Sequence, residues 1–319
     1  MTNPPTAGPL PLRPLRPVPD DRHRPWAGGR LGDGGPPIGE RWLAGPASLV
    51  ETADGPTTLE ALAGVHGAGL IGERGLARVG RRFPLLVKLI DAEQWLSLQV
   101  HPDDALATEL YGQGSFGKAE AWLVLDAAPT TELVTGPRQD LAPGRLAEAI
   151  AAGTLGLDDC VRDRAVAGDT WYLAPGTLHA IGAGSFIYEI EQPSDLTFRV
   201  SDWGRPVSPD RPLHRVESGR AVVPSAGARL AGRGWRLDGD ALVVPDFTLE
   251  LVRLPGDVER RPAGSSVEVV TALGDGISLT GDGWTEPLGR FETVVIPAAL
   301  ADYRISGSGD AVVCVGTVS

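Results

Sequence analysis

Short apolar runs, interrupted every few residues by glycine, proline or aspartate, dominate the last third of the chain. From about residue 235 the sequence contains VVPDFTLELVRL, SVEVVTAL, GISLTG, ETVVIP and AVVCVGTV. Strands at such regular intervals, separated by turns, are typical of all-β sandwiches and barrels. The 42 glycines and 28 prolines among 319 residues also favour strands and turns over long helices in the remainder. We therefore predict a mainly β fold.

The first two thirds of the chain combine strand-like and helical segments. Strands are predicted at 83–101, 118–126, 169–174 and 185–191, and short helices at 57–67, 103–114 and 143–159. The last helix has an early proline, and its Leu146 and Ile150 are spaced for one face. We predict a first domain over residues 1–235, with an N-terminal extension and the helical segment near 143–159, and a second β domain over 236–319. The proline-rich residues 1–20 are expected to form a tether or an extended surface segment.

Charge and cysteine usage exclude several classes of partner. The net charge is −12 and no basic cluster is dense, which argues against nucleic acid. We expect no membrane association, because no apolar run approaches spanning length, and the broken, proline-rich N-terminus does not resemble a signal peptide. Cys160 and Cys314 give no disulfide framework and fit a reducing compartment, so we expect a cytoplasmic protein.

Lysine is almost absent from the chain. The 29 basic residues comprise 27 arginines and two lysines, Lys88 and Lys118. Arginine and lysine are not interchangeable where a compact ammonium group must fit a site. Both lysines flank the segment LSLQVHPDD (96–104), which contains the polar residues Gln99 and His101.

Three short segments together supply metal-binding side chains. Gln99 and His101 share a strand face in LSLQVH, Glu120 shares a face with Lys118 in GKAEAW, and His179 follows two turns in GDTWYLAPGTLHAIG. Two imidazoles, a carboxylate and an amide oxygen suit Zn²⁺ or another first-row divalent ion. Structural alternatives remain open for each residue: a hydrogen-bonded core histidine, a glutamine bonded to backbone, or a glutamate paired with Lys118.

Two further acidic residues, Glu189 and Glu191, share a strand face in FIYEIEQ. Two readings are open: they contribute to the site, or they are solvated or paired with arginines. We expect the second.

The motifs resemble those of a known family. Gly168, Gly176 and His179 keep the spacing of the second cupin motif, with Pro175 one place later than usual. LSLQVHPDD, GKAEAW, APGTLHAIGAG and EIEQPSDLTFRVSDW resemble the signature segments of class I mannose-6-phosphate isomerases in their short bacterial form, as do IGERW and FPLLVKLID. The resemblance implies a cupin (jelly-roll) barrel with a small helical insertion. The tail resembles the family only in its length and its strands, and we expect it to form a second, C-terminal jelly-roll-like β domain; none of the five histidines lies there, so we expect no metal ligands in it.

The resemblance also implies the residues of an active site. It makes Gln99, His101, Glu120 and His179 the ligands of one Zn²⁺ per chain. The implied catalytic residues are Arg199, Asp195 and Lys118, and the implied substrate-binding residues are Ser97, Lys88, Lys118 and Arg199.

The implied activity is an aldose–ketose isomerisation that interconverts mannose-6-phosphate and fructose-6-phosphate through a cis-enediol. The partner would be a phosphorylated hexose, and the expected oligomeric state is a monomer or a weak homodimer. Two alternatives are kept: a non-catalytic cupin that binds sugar phosphates, and an iron cupin oxygenase using His101, Glu120 and His179. Gln99 and the cluster of two lysines and Arg199 count against the oxygenase, because O₂ chemistry needs no phosphate anchor.

Overall fold

The computed structural model describes residues 9–32, 34–254, 256–261 and 265–316, and β-strands make up most of its regular structure. The strands of the first two thirds are β1 (Asp20–Arg22), β2 (Glu40–Ala44), β3 (Leu49–Thr52), β4 (Gly55–Thr58), β5 (Leu86–Ala92), β6 (Leu98–Val100), β7 (Glu120–Ala127), β8 (Glu132–Pro137), β9 (Cys160–Arg164), β10 (Thr170–Leu173), β11 (Ala180–Ile181), β12 (Ser185–Glu191), β13 (Phe198–Ser201) and β14 (Arg229–Gly232). The later strands are β15 (Leu242–Val243), β16 (Phe247–Arg253), β17 (Val258–Arg260), β18 (Glu268–Ala272), β19 (Ile277–Gly281), β20 (Trp284–Leu288), β21 (Thr293–Ile296), β22 (Tyr303–Ser306) and β23 (Asp310–Gly316).

Helices are few and short. They are α1 (Leu59–His66), α2 (Ala68–Val79), α3 (Asp104–Tyr111), α4 (Pro143–Ala152), α5 (Arg215–Ala221) and a 3₁₀ turn at Leu157–Asp159. Thr58 and Asp103 cap α1 and α3 by accepting backbone hydrogen bonds through their side chains. The sequence reasoning did not predict α2, which is interrupted at Gly72 with φ +79°.

Two compact units divide the described chain. One comprises Asp21–Arg41 and Lys88–Arg236; the other comprises the described residues of Met1–Asp20, Trp42–Val87 and Leu237–Ser319. These units differ from the predicted division at residue 235, because residues 42–87 group with the C-terminal strands. The domain boundary itself stays a prediction.

The unit Asp21–Arg41 and Lys88–Arg236 carries all nine predicted site residues. A seven-stranded sheet has the order β1-β2-β5-β12-β7-β10-β14, and two smaller sheets have the orders β11-β8-β9 and β13-β6. One apolar cluster packs around Trp122 and Ile187 on the large sheet, and a second packs around Leu98, Leu178 and Phe198. Burial of these side chains stabilises the strands that carry the motifs.

The C-terminal strands of the other unit form two sheets, β15-β16-β23-β18-β21 and β17-β22-β19-β20. Side chains of both sheets meet in one core that includes Val270, Leu279, Tyr303 and Val313. Two sheets that share a core in this way form a β-sandwich. The predictions of a mainly β fold, a helical insertion near 143–159 and a C-terminal β region are confirmed.

The N-terminal segment is only partly described. Residues 1–8 of the predicted tether lie outside the described residues. Further along, Leu15 is buried, and its backbone forms a two-way hydrogen-bonded bridge with Val295 at 2.8 Å. Residues around Leu15 are therefore anchored in the unit that holds the C-terminal strands, rather than lying free on the surface.

Candidate active site

Backbone pairing brings the predicted residues of three segments together. The amides of Gln99 and His179 exchange hydrogen bonds of 3.0 and 2.9 Å, and Arg199 on β13 pairs with Gln99 on β6. Strand β6 has only three residues, so Ser97 and His101 flank it rather than belonging to it. Glu120 begins β7 and lies opposite Glu191 of β12.

Both histidine rings are oriented by backbone carbonyls. Nδ1 of His101 donates to Leu196 O and Nδ1 of His179 donates to Thr177 O, each at 2.8 Å. A carbonyl can only accept, so Nδ1 carries the proton and Nε2 carries the lone pair in each ring, and Lys118 Nζ lies 3.3 Å from His101 Nε2. The two Nε2 atoms lie 3.3 and 3.2 Å from the carboxylate oxygens of Glu120. The rings are 4.8 Å apart between centroids.

The protonation states suit metal binding. Burial, reinforced by the charge of Lys118, lowers the pKa of His101 to about 3, and burial also lowers the pKa of His179. Both imidazoles are therefore neutral near pH 7. Burial opposes ionisation of Glu120, but nearby positive charge, chiefly the ammonium group of Lys118, outweighs it and holds the pKa of that carboxyl well below its usual value. The site presents two neutral imidazoles and one carboxylate.

The geometry fits a small divalent cation. Ligand atoms of His101, Glu120 and His179 all lie within 4.8 Å of one another. Oε1 of Glu120 is buried and accepts no hydrogen bond from any described residue. The amide Nε2 of Gln99 lies 3.2 Å from His179 Nε2, and its Oε1 accepts from Ser97 Oγ at 3.2 Å. Rotating this amide by half a turn would direct Oε1 toward His179 Nε2, with the amide plane unchanged.

A buried network of lysines and glutamates adjoins these residues. Lys118 Nζ lies 2.8 Å from Glu120 and 2.7 Å from Glu191, and Lys88 Nζ lies 2.7 Å from Glu191 and 3.3 Å from Glu189. Each of these side chains is at most 5% exposed. Burial lowers lysine pKa values, but the carboxylates outweigh this effect and raise the pKa of both lysines.

The prediction that Glu189 and Glu191 are solvated or paired with arginines is wrong. Both carboxylates are buried and face lysines, because β12 lies between β5, which carries Lys88, and β7, which Lys118 precedes by two residues. Glu189 also accepts a hydrogen bond from Trp122 Nε1 at 3.0 Å. Sequence reasoning missed these partners because the strand order was unknown.

A cavity of about 300 Å³ opens beside the histidines and carries most of the remaining predicted residues. Its lining includes Lys88, Ser97, Gln99, Lys118, Asp195 and Arg199. His101, Glu120 and His179 are buried next to it, in contact with Lys118 and Gln99. The structure thus brings all nine predicted site residues together, and Glu120 pairs with Lys118 as well as facing both histidines.

Other lining residues were not predicted from the sequence. Arg24, Trp26 and Arg211 also line the cavity. Arg24 lies far from the other motifs in sequence and gives no local signal. Arg211 is bound by the buried Asp202 of the segment SDW, and this acidic residue is the sequence feature connected with it.

No helix among the described residues is long and apolar enough to cross a membrane.

Comparisons with known proteins agree with the predicted resemblance. The family model "Phosphomannose isomerase type I, catalytic domain" matches residues 33–117. A mannose-6-phosphate isomerase of Streptococcus mutans is 32% identical over 232 residues, covering 70% of this chain and 72% of the relative. A second, from Bacillus subtilis, is 29% identical over 243 residues and covers 73% and 75% of the two chains.

The fold is shared with solved structures. The crystal structure of the mannose 6-phosphate isomerase from Bacillus subtilis matches with a TM-score of 0.79 at 25% identity, covering 94% of this chain and 99% of the other. The shared fold and a relative that is 32% identical over 72% of its length point to the same family. The chain therefore belongs to the type I mannose-6-phosphate isomerase family of enzymes.

Proposed function

We propose that this enzyme interconverts mannose-6-phosphate and fructose-6-phosphate through a cis-enediol, with one zinc ion per chain. The observation that carries the proposal is the set of two neutral imidazoles and one ionised carboxylate buried beside a cavity lined by lysine and arginine. The identity of the proposed substrate comes from relatives that are named mannose-6-phosphate isomerase.

The metal would be held by His101 Nε2, His179 Nε2, Glu120 and the rotated amide of Gln99. When bound, a zinc ion acts as a Lewis acid that polarises a substrate oxygen. The histidine Nδ1 protons donated to Leu196 O and Thr177 O would keep both rings aimed at it.

The protein's own side chains would stabilise and move charge during the proton transfer. Isomerisation of mannose-6-phosphate moves one proton from C2 to C1 and a second proton from O2 to O1, so negative charge develops on O1 as C2 is deprotonated and on O2 as C1 is protonated. Lys118, with its ammonium group fixed by Glu120 and Glu191, is placed to donate a hydrogen bond to one of these oxygens. Lys88 and Ser97 would bind neighbouring hydroxyl groups of the substrate.

Asp195 and Arg199 complete the proposed catalytic set. Asp195 lines the cavity and makes no hydrogen bond or ion pair with any described residue, so its carboxylate is available to carry the proton. Arg199 donates to Pro212 O at 3.1 Å through Nη1, while its buried Nε has no partner among the described residues. That unused N–H is a donor for substrate oxygen.

The test is formation of fructose-6-phosphate from mannose-6-phosphate by purified protein before chelation, after chelation and after zinc is restored. We expect activity to be lost and regained. A folded, zinc-loaded protein that produces no fructose-6-phosphate would reject the reaction and favour a binding-only cupin. Activity that persists at zero bound metal would reject the metal dependence.

We further propose a cytoplasmic enzyme that works as a monomer or a weak homodimer. The two cysteines are buried and unpaired, as a reducing compartment allows. Light scattering after size-exclusion chromatography would test the oligomeric state, and a stable tetramer would contradict it.

A further inference from the structure

The cations of the cavity fall into two groups with different partners. Lys88 and Lys118 are held by the buried glutamates. Arg24, Arg199 and Arg211, here called the arginine cluster, also line the cavity. Arg199 feels the positive charges of both other members, which, after burial, lower the pKa of its guanidinium. Arg24 pairs with Glu40 at 3.0 Å and Arg211 with Asp202, whereas Arg199 makes no ion pair with a described residue, so an anion bound beside it would offset its charge.

Arg211 is fixed in a way that leaves one of its nitrogens available. Its Nε contacts Asp202 Oδ2 at 3.1 Å, and its Nη2 contacts both carboxylate oxygens at 2.9 and 3.0 Å. Nη1 makes no hydrogen bond to a residue that the structure describes. The side chain is 18% exposed. A guanidinium held on one edge by a carboxylate can present its other edge to a ligand at little entropic cost.

Asp202 is itself rigidly placed. It is 6% exposed, and the next residue, Trp203, adopts φ +56°, a conformation that bulky residues rarely take. Trp203 is secured there by a hydrogen bond of 2.5 Å from its Nε1 to Leu96 O. Arg205 binds the same carboxylate at 2.9 Å, but its other end donates to Trp95 O, and it does not line the cavity.

We propose that the arginine cluster binds the phosphate of the substrate, that Arg211 selects phosphorylated over free hexoses, and that Asp202 is the positioning residue of Arg211. Arginine matches phosphate with parallel N–H donors, whereas the lysines, tied to carboxylates near the histidines, suit single sugar oxygens. This inference rests on the proposed function. It orients the substrate with its phosphate toward Arg211 and its reacting carbons toward Lys118.

The test compares Arg211→Ala with Arg205→Ala, since both variants remove an arginine from Asp202 and only the first changes the cavity. In zinc-loaded protein we expect Arg211→Ala to raise KM for mannose-6-phosphate and to weaken binding of inorganic phosphate, each by about 10- to 100-fold, with kcat changed much less. Arg205→Ala should keep both constants within about threefold of the wild type. Calorimetric titration with inorganic phosphate measures binding without turnover.

Each outcome is decisive. Equal phosphate affinity in the two variants overturns the inference. Weakened phosphate binding in Arg211→Ala, in a protein that does not isomerise mannose-6-phosphate, upholds the anion site and rejects the proposed reaction. For Asp202, the Asp202→Asn change should weaken phosphate binding in the wild-type background and have no further effect on it in Arg211→Ala. An equal effect in both backgrounds would remove the positioning role.

Discussion

Replacing Lys118 by methionine would remove an ammonium group from the centre of the site while keeping most of its aliphatic volume. Lys118 lies 2.8 Å from Glu120 and 2.7 Å from Glu191. At an effective dielectric constant near 20, each contact contributes roughly 6 kcal/mol of Coulomb attraction, before the cost of desolvating the ammonium group. Removing one partner of a buried ion pair lowers the free energy of unfolding by about 3–5 kcal/mol, and we expect a loss of this size for Lys118→Met in metal-free protein.

Zinc should reduce the loss for Lys118→Met specifically. A divalent cation bound to Glu120 would neutralise one of the two carboxylates that the substitution strands. Lys88→Met is the matched control, because Lys88 pairs with Glu189 and Glu191 instead. The loss of unfolding free energy in Lys88→Met should be similar with and without zinc.

The assay is urea unfolding followed by tryptophan fluorescence, with chelator or with zinc. Six of the eight tryptophans lie in the unit Asp21–Arg41 and Lys88–Arg236, so the signal reports mainly on the unit that holds the site. A loss below about 1 kcal/mol in metal-free Lys118→Met would refute the stability argument. Equal protection of both variants by zinc would refute the assignment of Glu120 as a ligand.

Four further results are expected. His101→Ala should lose bound zinc and activity, measured by metal analysis of the dialysed protein, whereas His23→Ala, on the exposed backbone-bonded His23, should keep both; stoichiometric zinc in His101→Ala would reject the ligand assignment. Arg199→Ala should lower kcat/KM by at least about 10²-fold with an unchanged circular dichroism spectrum, and near-native turnover would exclude Arg199 from the mechanism. Burial raises the pKa of Cys160 to about 12, so iodoacetamide at pH 8 should leave Cys160 unmodified until urea unfolds the protein, and rapid labelling of the native protein would contradict its burial. Burial raises the pKa of Tyr303 above its usual value of 10, so its contribution to stability should be complete below pH 10 and decline as the pH rises beyond it; unfolding free energies that stay flat from pH 9 to 11 would argue against this.

The predictability of the site depended on how local each signal was. Gln99 and His101 lie two residues apart, so one short segment was enough to predict them. Glu120, His179 and Arg199 were predicted from the family motifs. The positions of these residues follow from strand pairings such as Gln99 with His179, which the sequence does not display.

Residues whose role depends on distant partners escaped prediction. Glu191 looks like a surface residue of an alternating strand, yet it is buried and contacts two lysines, which β5 and the residues before β7 bring to it. Arg24 lines the cavity but is far in sequence from the motifs, so only the folded structure shows that it lies beside them. In the same way, residues 42–87 belong to the unit of the C-terminal strands, and no change in amino-acid composition marks the two points at which the chain passes from one unit to the other.

The placement of both lysines has a practical consequence for amine chemistry. Lys88 and Lys118 are each 4% exposed, and every other basic side chain, histidine aside, is an arginine. The surface of the folded protein therefore offers no lysine amine to succinimidyl esters, amine-directed crosslinkers or immobilisation. Any modification of a lysine ammonium group in the native state would report a reagent that has entered the cavity rather than a reaction at the surface.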